Sequence, residues 1–405
     1  MLELELTSIA HGGDALGRHE GRVIFVPYGI PDERVRVEIT ENRGRWARAR
    51  LIEILRTSPH RVKPSCPYFG TCGGCQWQHL DYEAQLAYKT TIVSEQLNHL
   101  GGLQEAPVEP TLASVDTWHY RNHAQFTPSS DGRLGFKMAR SKRVVPIAEC
   151  LLLHPLLADL FSTLDLALPG LERLSLRAGI RTGETMLIFE TVDDEPPGIE
   201  VDVPVSCVLL LKDGTPVNLV GSNHFIEILG NRRFQVSAPS FFQVNTAQAE
   251  RLVEIVAAFL QLTGDESLLD VYCGVGTFAL SLASQARRVI GVESNPYAVA
   301  DARLNAQGLS NVEFIEGRVE DVLPNLDFAV DATVLDPPRQ GCRPEVLQAL
   351  TDLKPARIVY VSCDPATLAR DARRLGDAGY RLVKVRPVDM FPQTYHIESV
   401  SLWMR

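Results

Sequence analysis

The sequence predicts a multidomain α/β protein: an N-terminal OB-like β-barrel, a β-rich central domain and a C-terminal Rossmann-like domain. Three observations carry this expectation. At 405 residues the chain has length for two or three domains. Short alternating apolar runs fill residues 1–57. From about Pro239 helices and strands alternate, the order of a mostly parallel sheet covered on both faces.

In residues 1–57, Leu2-Leu4-Leu6, Arg22–Val26, Val35–Ile39 and Ala47–Leu55 alternate with period two between Gly and Pro signals. Several short strands in so few residues suggest a small barrel, a common nucleic-acid scaffold. The run Gly13–Arg18, then Val-Ile-Phe-Val-Pro-Tyr and Pro-Asp-Glu, resembles the TRAM domain of RNA-modifying enzymes.

The second division is read as 58–238. It opens with the linker Ser58–Pro67 and the cysteines of Cys66–Cys75. Residues 82–100 have helical period and are expected to pack on the C-terminal domain. Strands are expected at Tyr120–Phe126, Arg143–Ile147, Thr185–Glu190, Ser206–Lys212 and Asn223–Leu229. In 239–405 the expected order is helix Thr246–Leu262, strand Ser267–Val271, helix Phe278–Ser284, strand Arg288–Glu293, helix Pro296–Gln307 and strand Val312–Ile315.

Hydrophobic residues make up 45% and charged residues 22%, ordinary for a soluble globular protein. The start has no basic segment followed by an apolar core, and no apolar run nears the ~20 residues that span a bilayer. The expectation is a cytoplasmic, monomeric protein without membrane contact. Net charge is −10, which does not by itself suggest nucleic acid. Two local basic clusters do: Arg34–Lys63, with nine cations, and Arg133–Arg143, with five. A solvated charged face is the plain alternative.

Asp270-Val-Tyr-Cys-Gly-Val-Gly-Thr-Phe278 runs from a strand into a glycine turn that lets backbone approach a ligand. Glu293 ends the next strand and can accept hydrogen bonds from ribose hydroxyls. The spacing favours S-adenosylmethionine (SAM) over a nicotinamide cofactor, and a plain tight turn remains open. Asp336-Pro-Pro-Arg339-Gln-Gly341 follows a strand, its prolines stiffening the loop that presents Asp336. Arg339 stands where amino-directed methylases carry an aromatic, which disfavours methylation of an exocyclic amine.

Cys363 sits in a strand-exit turn, Val-Ser-Cys-Asp-Pro, and Glu398 lies 35 residues on. A lone cysteine is most often a small buried residue. At this position it reads as a nucleophile, its thiolate favoured by the helix opening at Pro365. Glu398 reads as the base, with a solvent-facing strand position as the alternative.

Together these segments resemble the RNA uracil-5-methyltransferase family, in its TRAM-plus-iron–sulfur branch that modifies large-subunit ribosomal RNA. The matching runs are Ser240–Asn245, Asp270–Phe278, Asp336–Gly341, Tyr360–Pro365 and Asp389–Glu398, in family order. Gln393 departs from the family, which often has His there. The resemblance implies SAM contacts from Gln243, Tyr272, Thr277, Glu293, Gly317 and Asp336. It implies methylation of uridine carbon 5, with Cys363 and Glu398 catalytic and ribosomal RNA as partner; the same reaction on transfer RNA stays open. A radical-SAM methylthiotransferase and a non-catalytic RNA-binding protein are the rivals from other classes.

Cys66, Cys72, Cys75 and Cys150 supply four thiols, the number for an iron–sulfur cluster or tetrahedral zinc. The resemblance favours [4Fe–4S]. The first gap, five residues, does not fit the radical-SAM Cys-x3-Cys-x2-Cys spacing. Cys207, Cys273 and Cys342 read as packing.

Overall fold

A computed structural model describes residues 1–165 and 168–405. β1 (Leu2–Ile9), β2 (Ala15–His19), β3 (Arg22–Val26), β4 (Arg34–Asn42) and β5 (Trp46–Arg56) close a barrel in the order β1-β2-β3-β5-β4. Alternation decides its interior: Leu4, Leu6, Ile24, Val26, Val35 and Val37 point inward.

Helix α1 (Tyr82–His99) starts where the Asp81 carboxylate accepts from Ala84 N at 2.7 Å. It ends one residue short of the expected Leu100, which caps it. The helix lies against α8 (Pro365–Asp377) and β20 (Arg381–Val388).

The central sheet holds β6 (His123–Pro128), β7 (Leu134–Lys137), β8 (Val144–Pro146), β9 (Leu171–Ala178), β10 (Thr185–Thr191), β11 (Ser206–Leu210) and β12 (Pro216–Val220), in the order β12-β11-β10-β9-β6-β7-β8. Helix α2 (Pro155–Thr163) covers it. The strand expected from Tyr120 begins at His123. Backbone hydrogen bonds instead tie His119 and Arg121 to Leu151 and Leu152. The strand expected at Asn223–Leu229 is absent from this sheet. It forms a separate hairpin, β13 (His224–Leu229) with β14 (Arg232–Ser237). Phe225, Leu229, Phe234 and Val236 of that hairpin share a core with Leu252 and Val256, which the sequence reading had placed beyond a boundary at 239.

The C-terminal sheet comprises β15 (Ser267–Val271), β16 (Arg288–Glu293), β17 (Val312–Glu316), β18 (Ala332–Leu335), β19 (Arg357–Ser362), β20 (Arg381–Val388) and β21 (Glu398–Met404). Its order is β17-β16-β15-β18-β19-β21-β20. Strands β15 to β19 are parallel; β21 inserts antiparallel between β19 and β20. Helices α3 (Thr246–Leu260), α4 (Thr277–Leu282), α5 (Pro296–Asn305), α6 (Val319–Val322), α7 (Pro344–Asp352) and α8 (Pro365–Asp377) connect or cover these strands. The reversal at β21 positions the site: the beginning of β21 meets the end of β19.

Candidate active site

The donor half lies at the carboxyl ends of β15, β16 and β18, where an open α/β sheet leaves its crevice. Register pairs Val271 with Val292 on one side and Leu335 on the other, so the residues that follow these three strands are neighbours. Tyr272 leaves β15 at φ 64°, an uncommon left-handed conformation for a side-chain-bearing residue. Gly276 (φ 89°) lets the turn close, since a Cβ there would lie 2.8 Å from Leu280 Cδ1. Thr277 opens α4.

Glu293 is held by its surroundings. Its Oε1 accepts from Ser294 N at 2.7 Å and Asn295 N at 2.8 Å, and its Oε2 from Gly274 N at 3.1 Å. Gly317 N donates to Glu293 O at 2.9 Å, which brings that glycine to the same rim. Gln243 comes from the loop before α3. Asn122 Nδ2 donates to its carbonyl, and Asp301 anchors the loop's start through Ser240 Oγ at 2.6 Å. Asp270 Oδ2 accepts from Ala279 N at 2.7 Å, while its Oδ1 has no partner among the described residues. Burial raises its pKa to about 8.

The reacting half follows from the β19–β21 register. Ser362 pairs with Ser399, so Cys363 and Glu398, one step further on each strand, are brought together. Leu335 pairs with Tyr360, which places Asp336 and its loop alongside. Each feels the other. The Cys363 thiol is pushed up to about 12 by burial and by the Glu398 and Asp336 carboxylates, with Arg339 opposing. Glu398 is fully enclosed and pushed well above the usual carboxylate range by burial and by Asp336. Burial lifts Asp336 to about 7.

The helix opening at Pro365 does not bring the thiol below its ordinary range, contrary to expectation: burial and nearby carboxylates raise it. The reason is local: Asp364 Oδ1 takes the amides of Ala366 and Thr367 at 2.9 and 3.0 Å. The helix terminus is therefore answered by a carboxylate, and Cys363 gains one more negative neighbour. His11, from the β1–β2 loop of the barrel, lies 3.5 Å from Asp364 Oδ2. Gly13 of the same loop packs on Tyr395 and accepts from Trp77 Nε1 at 3.2 Å.

The segment leading to Glu398 is fixed by one face of α1. Lys89 Nζ donates to Asp389 Oδ1 and to Phe391 O. Gln85 and Gln393 exchange two hydrogen bonds, at 3.0 and 3.1 Å. Gln393, the departure from the family pattern, thus completes a matched pair. Sequence reasoning missed this face, although Gln85 and Lys89 recur one helical turn apart. It also missed Phe241, 62% exposed beside the buried Phe242 and Gln243.

The family model for tRNA (uracil-5-)-methyltransferase matches residues 227–405, and that for the TRAM domain matches residues 2–52. An uncharacterized RNA methyltransferase of Gloeobacter violaceus is 38% identical, covering 98% of this chain and 94% of its own. One from Halalkalibacterium halodurans is 36% identical over 99% and 96%. The chain belongs to the RNA uracil-5-methyltransferase family. Among solved structures, the Pyrococcus abyssi tRNA (uracil-54, C5)-methyltransferase, in complex with S-adenosyl-L-homocysteine, aligns over 100% of both chains. Its TM-score is 0.79 at 28% identity.

This methyltransferase also carries a cavity of about 80 Å³ outside the sheet crevice, lined by Cys66, Cys72, Cys75 and Cys150. Gly74 N donates to Cys72 Sγ at 3.3 Å. Burial raises the Cys72, Cys75 and Cys150 thiols, Cys75 to about 12. Among the described residues, no three His, Cys, Asp or Glu side chains form a group able to hold a metal ion. The four cysteines expected as ligands thus share one cavity lining without forming a ligand group there.

The basic clusters divide. In the methyltransferase's barrel and linker, carboxylates partner most of the cations. Arg34 and Arg36 meet Glu3, Arg43 meets Glu41, Arg48 meets Asp14, Arg50 meets Glu38, Arg56 meets Glu5 and Arg61 meets Glu33. The free basic patch expected at Arg34–Lys63 is therefore largely neutralised. The strands' pairing explains it, since β1 and β5 flank β4 and set acids opposite arginines.

Proposed function

We propose that the enzyme transfers the methyl group of SAM to carbon 5 of a uridine in RNA, through a covalent link between Cys363 and the base. The juxtaposition of Cys363 and Glu398 at the β19–β21 register carries this reading. Bound SAM supplies the electrophilic methyl. Gln243, Tyr272, Thr277, Glu293, Gly317 and Asp336 would hold it, over a glycine turn that a Cβ at Gly276 would obstruct.

Carbon 5 of uracil is a poor nucleophile. The Cys363 thiolate adds to carbon 6, and the ring's electron pair moves onto the carbonyl at carbon 4 as an enolate. Carbon 5 then takes the methyl with the enolate's electron pair, and the methyl's former bond to the donor sulfur breaks to leave a neutral thioether. Glu398 accepts the proton from carbon 5, the electron pair of that bond re-forms the ring double bond, and the thiolate departs. Glu398's burial, which raises its affinity for a proton, suits it to this role. Arg339 opposes the raised pKa of both groups. The base must leave its stack to reach Cys363, and the exposed Phe241 offers a face for a displaced neighbour.

We read residues 1–57 as an RNA-binding barrel, 58–238 as an iron–sulfur and RNA-binding domain and 239–405 as the catalytic domain. Cys66, Cys72, Cys75 and Cys150 would hold a [4Fe–4S] cluster in a structural role, since methyl transfer moves no electrons. Large-subunit ribosomal RNA is the proposed target, supported by the likeness of the cysteine pattern and barrel to that branch. Transfer RNA is the second reading, favoured by the full-length likeness to a tRNA enzyme.

Mapping 5-methyluridine by mass spectrometry, in ribosomal and transfer RNA from cells with and without the gene, decides between them. Cys363→Ala should lose methylation and keep SAM binding, and turnover by that variant would remove the proposed nucleophile. Glu398→Gln should trap a protein–RNA adduct.

A further inference from the structure

The second basic cluster differs from the first in what surrounds its charges. Arg133 is paired with Asp131, and Arg140 with Asp14 of the barrel at 2.7 Å. Lys137, Lys142 and Arg143 are exposed and have no carboxylate partner among the described residues. They sit on the β7–β8 hairpin, whose tip turns through Arg140 at φ 57°.

This hairpin is built into the cysteine loop. Cys72 bridges Met138, and Gly73 N donates to Lys137 O at 3.0 Å. The approach is so close that a Cβ at Gly73 would lie 2.6 Å from Lys137 O and 2.9 Å from Ala139 N. On its other side the Arg140–Asp14 pair joins the hairpin to the β1–β2 loop, whose His11 and Gly13 reach Asp364 and Tyr395. Three uncompensated cations thus stand on a rigid path leading to the Cys363 turn.

We propose that the β7–β8 hairpin, through Lys137, Lys142 and Arg143, is the principal phosphate-contacting surface of the enzyme. The barrel's arginine face braces the fold rather than gripping RNA, because most of its cations are already answered by carboxylates. The inference rests on the reading that the substrate is an RNA. It assigns the cysteine loop a purpose, which is to hold the hairpin at a fixed distance from the reacting centre.

The test is binding of poly(U) RNA to the full-length protein over a range of salt concentrations. Each phosphate contact on a single strand contributes about 0.7 to the slope of log K against log salt. The combined Lys137→Gln, Lys142→Gln and Arg143→Gln protein should lose about 2 from that slope. Arg34→Gln with Arg50→Gln should change it by less than about 0.7. An unchanged slope in the hairpin variant, or an equal loss in the barrel variant, overturns the proposal. Poly(U) binding requires no methyl transfer, so an enzyme that bound RNA by the hairpin yet failed to form 5-methyluridine would sink the catalytic reading and leave this one standing.

Discussion

Lys89 Nζ lies 2.6 Å from Asp389 Oδ1, and both side chains are completely shielded from solvent. Burial pulls the lysine's pKa down and Asp389 holds it up. Trp77 covers the ammonium, its ring centroid 5.7 Å away. The pair joins a helix near residue 90 to the segment that delivers Glu398. Lys89→Met leaves a buried carboxylate alone and should cost about 3–5 kcal/mol, read from urea unfolding. The double variant Lys89→Met/Asp389→Leu should recover most of that loss. A double variant as unstable as the single one would show that the pair is not the source.

The proximity of Cys363 and Glu398 has a consequence that needs no RNA. Alkylation of Cys363 by iodoacetamide, followed by peptide mass spectrometry, should climb steadily with pH toward a midpoint near about 12. Glu398→Gln removes one of the groups that raise the thiol, so the Cys363 pKa should fall and the alkylation curve should move to lower pH. Equal rates in the two proteins would mean that the groups do not communicate.

Asp270 holds its proton to about pH 8 in the fold, against ~3.9 for an unfolded chain. Between those values the unfolded chain has released a proton that the folded chain still carries. Stability therefore declines as pH rises across that window. Asp270→Asn keeps an oxygen for Ala279 N and has nothing to ionise. Its melting temperature should gain on the wild type between pH 5 and pH 8, and a constant difference would contradict the assignment.

Phe241 is the exposed aromatic of the Ser240–Asn245 loop. Phe241→Ala should weaken RNA binding by about 1–3 kcal/mol, the range for one base stacked on a ring. SAM affinity, measured by calorimetry, should not move, because Gln243 is held through its backbone by Asn122. A matching loss in SAM binding would place the ring in the donor site instead.

The sequence shows the alternating βα order because parallel strands buried on both faces, such as Ser267–Val271, read as apolar runs between helices. The strand-end positions of Cys363 and Glu398 were legible because each lies within a recognisable run. The buried face of α1 was not, since Lys89 and Gln85 are polar and a polar position on a helix ordinarily faces water. Nor was the neutralisation of the barrel arginines. Arg34 and Glu3 lie 31 positions apart, and only the β1–β4 register, which sets Glu3 opposite Arg36 and Glu5 opposite Arg34, brings them within reach as diagonal neighbours. The thiol's raised pKa likewise depends on groups from three separate segments, which no local window contains.

Met186, Ile188 and Val208 of the central sheet enter the same apolar core as Leu252, Val334 and Val361 of the C-terminal domain. Such interdigitated interiors resist shear. The central and C-terminal sheets are thus welded through a single interior, while the barrel keeps one of its own, so a cavity opened at Met186 should be felt beneath Val361 and leave the barrel's stability untouched.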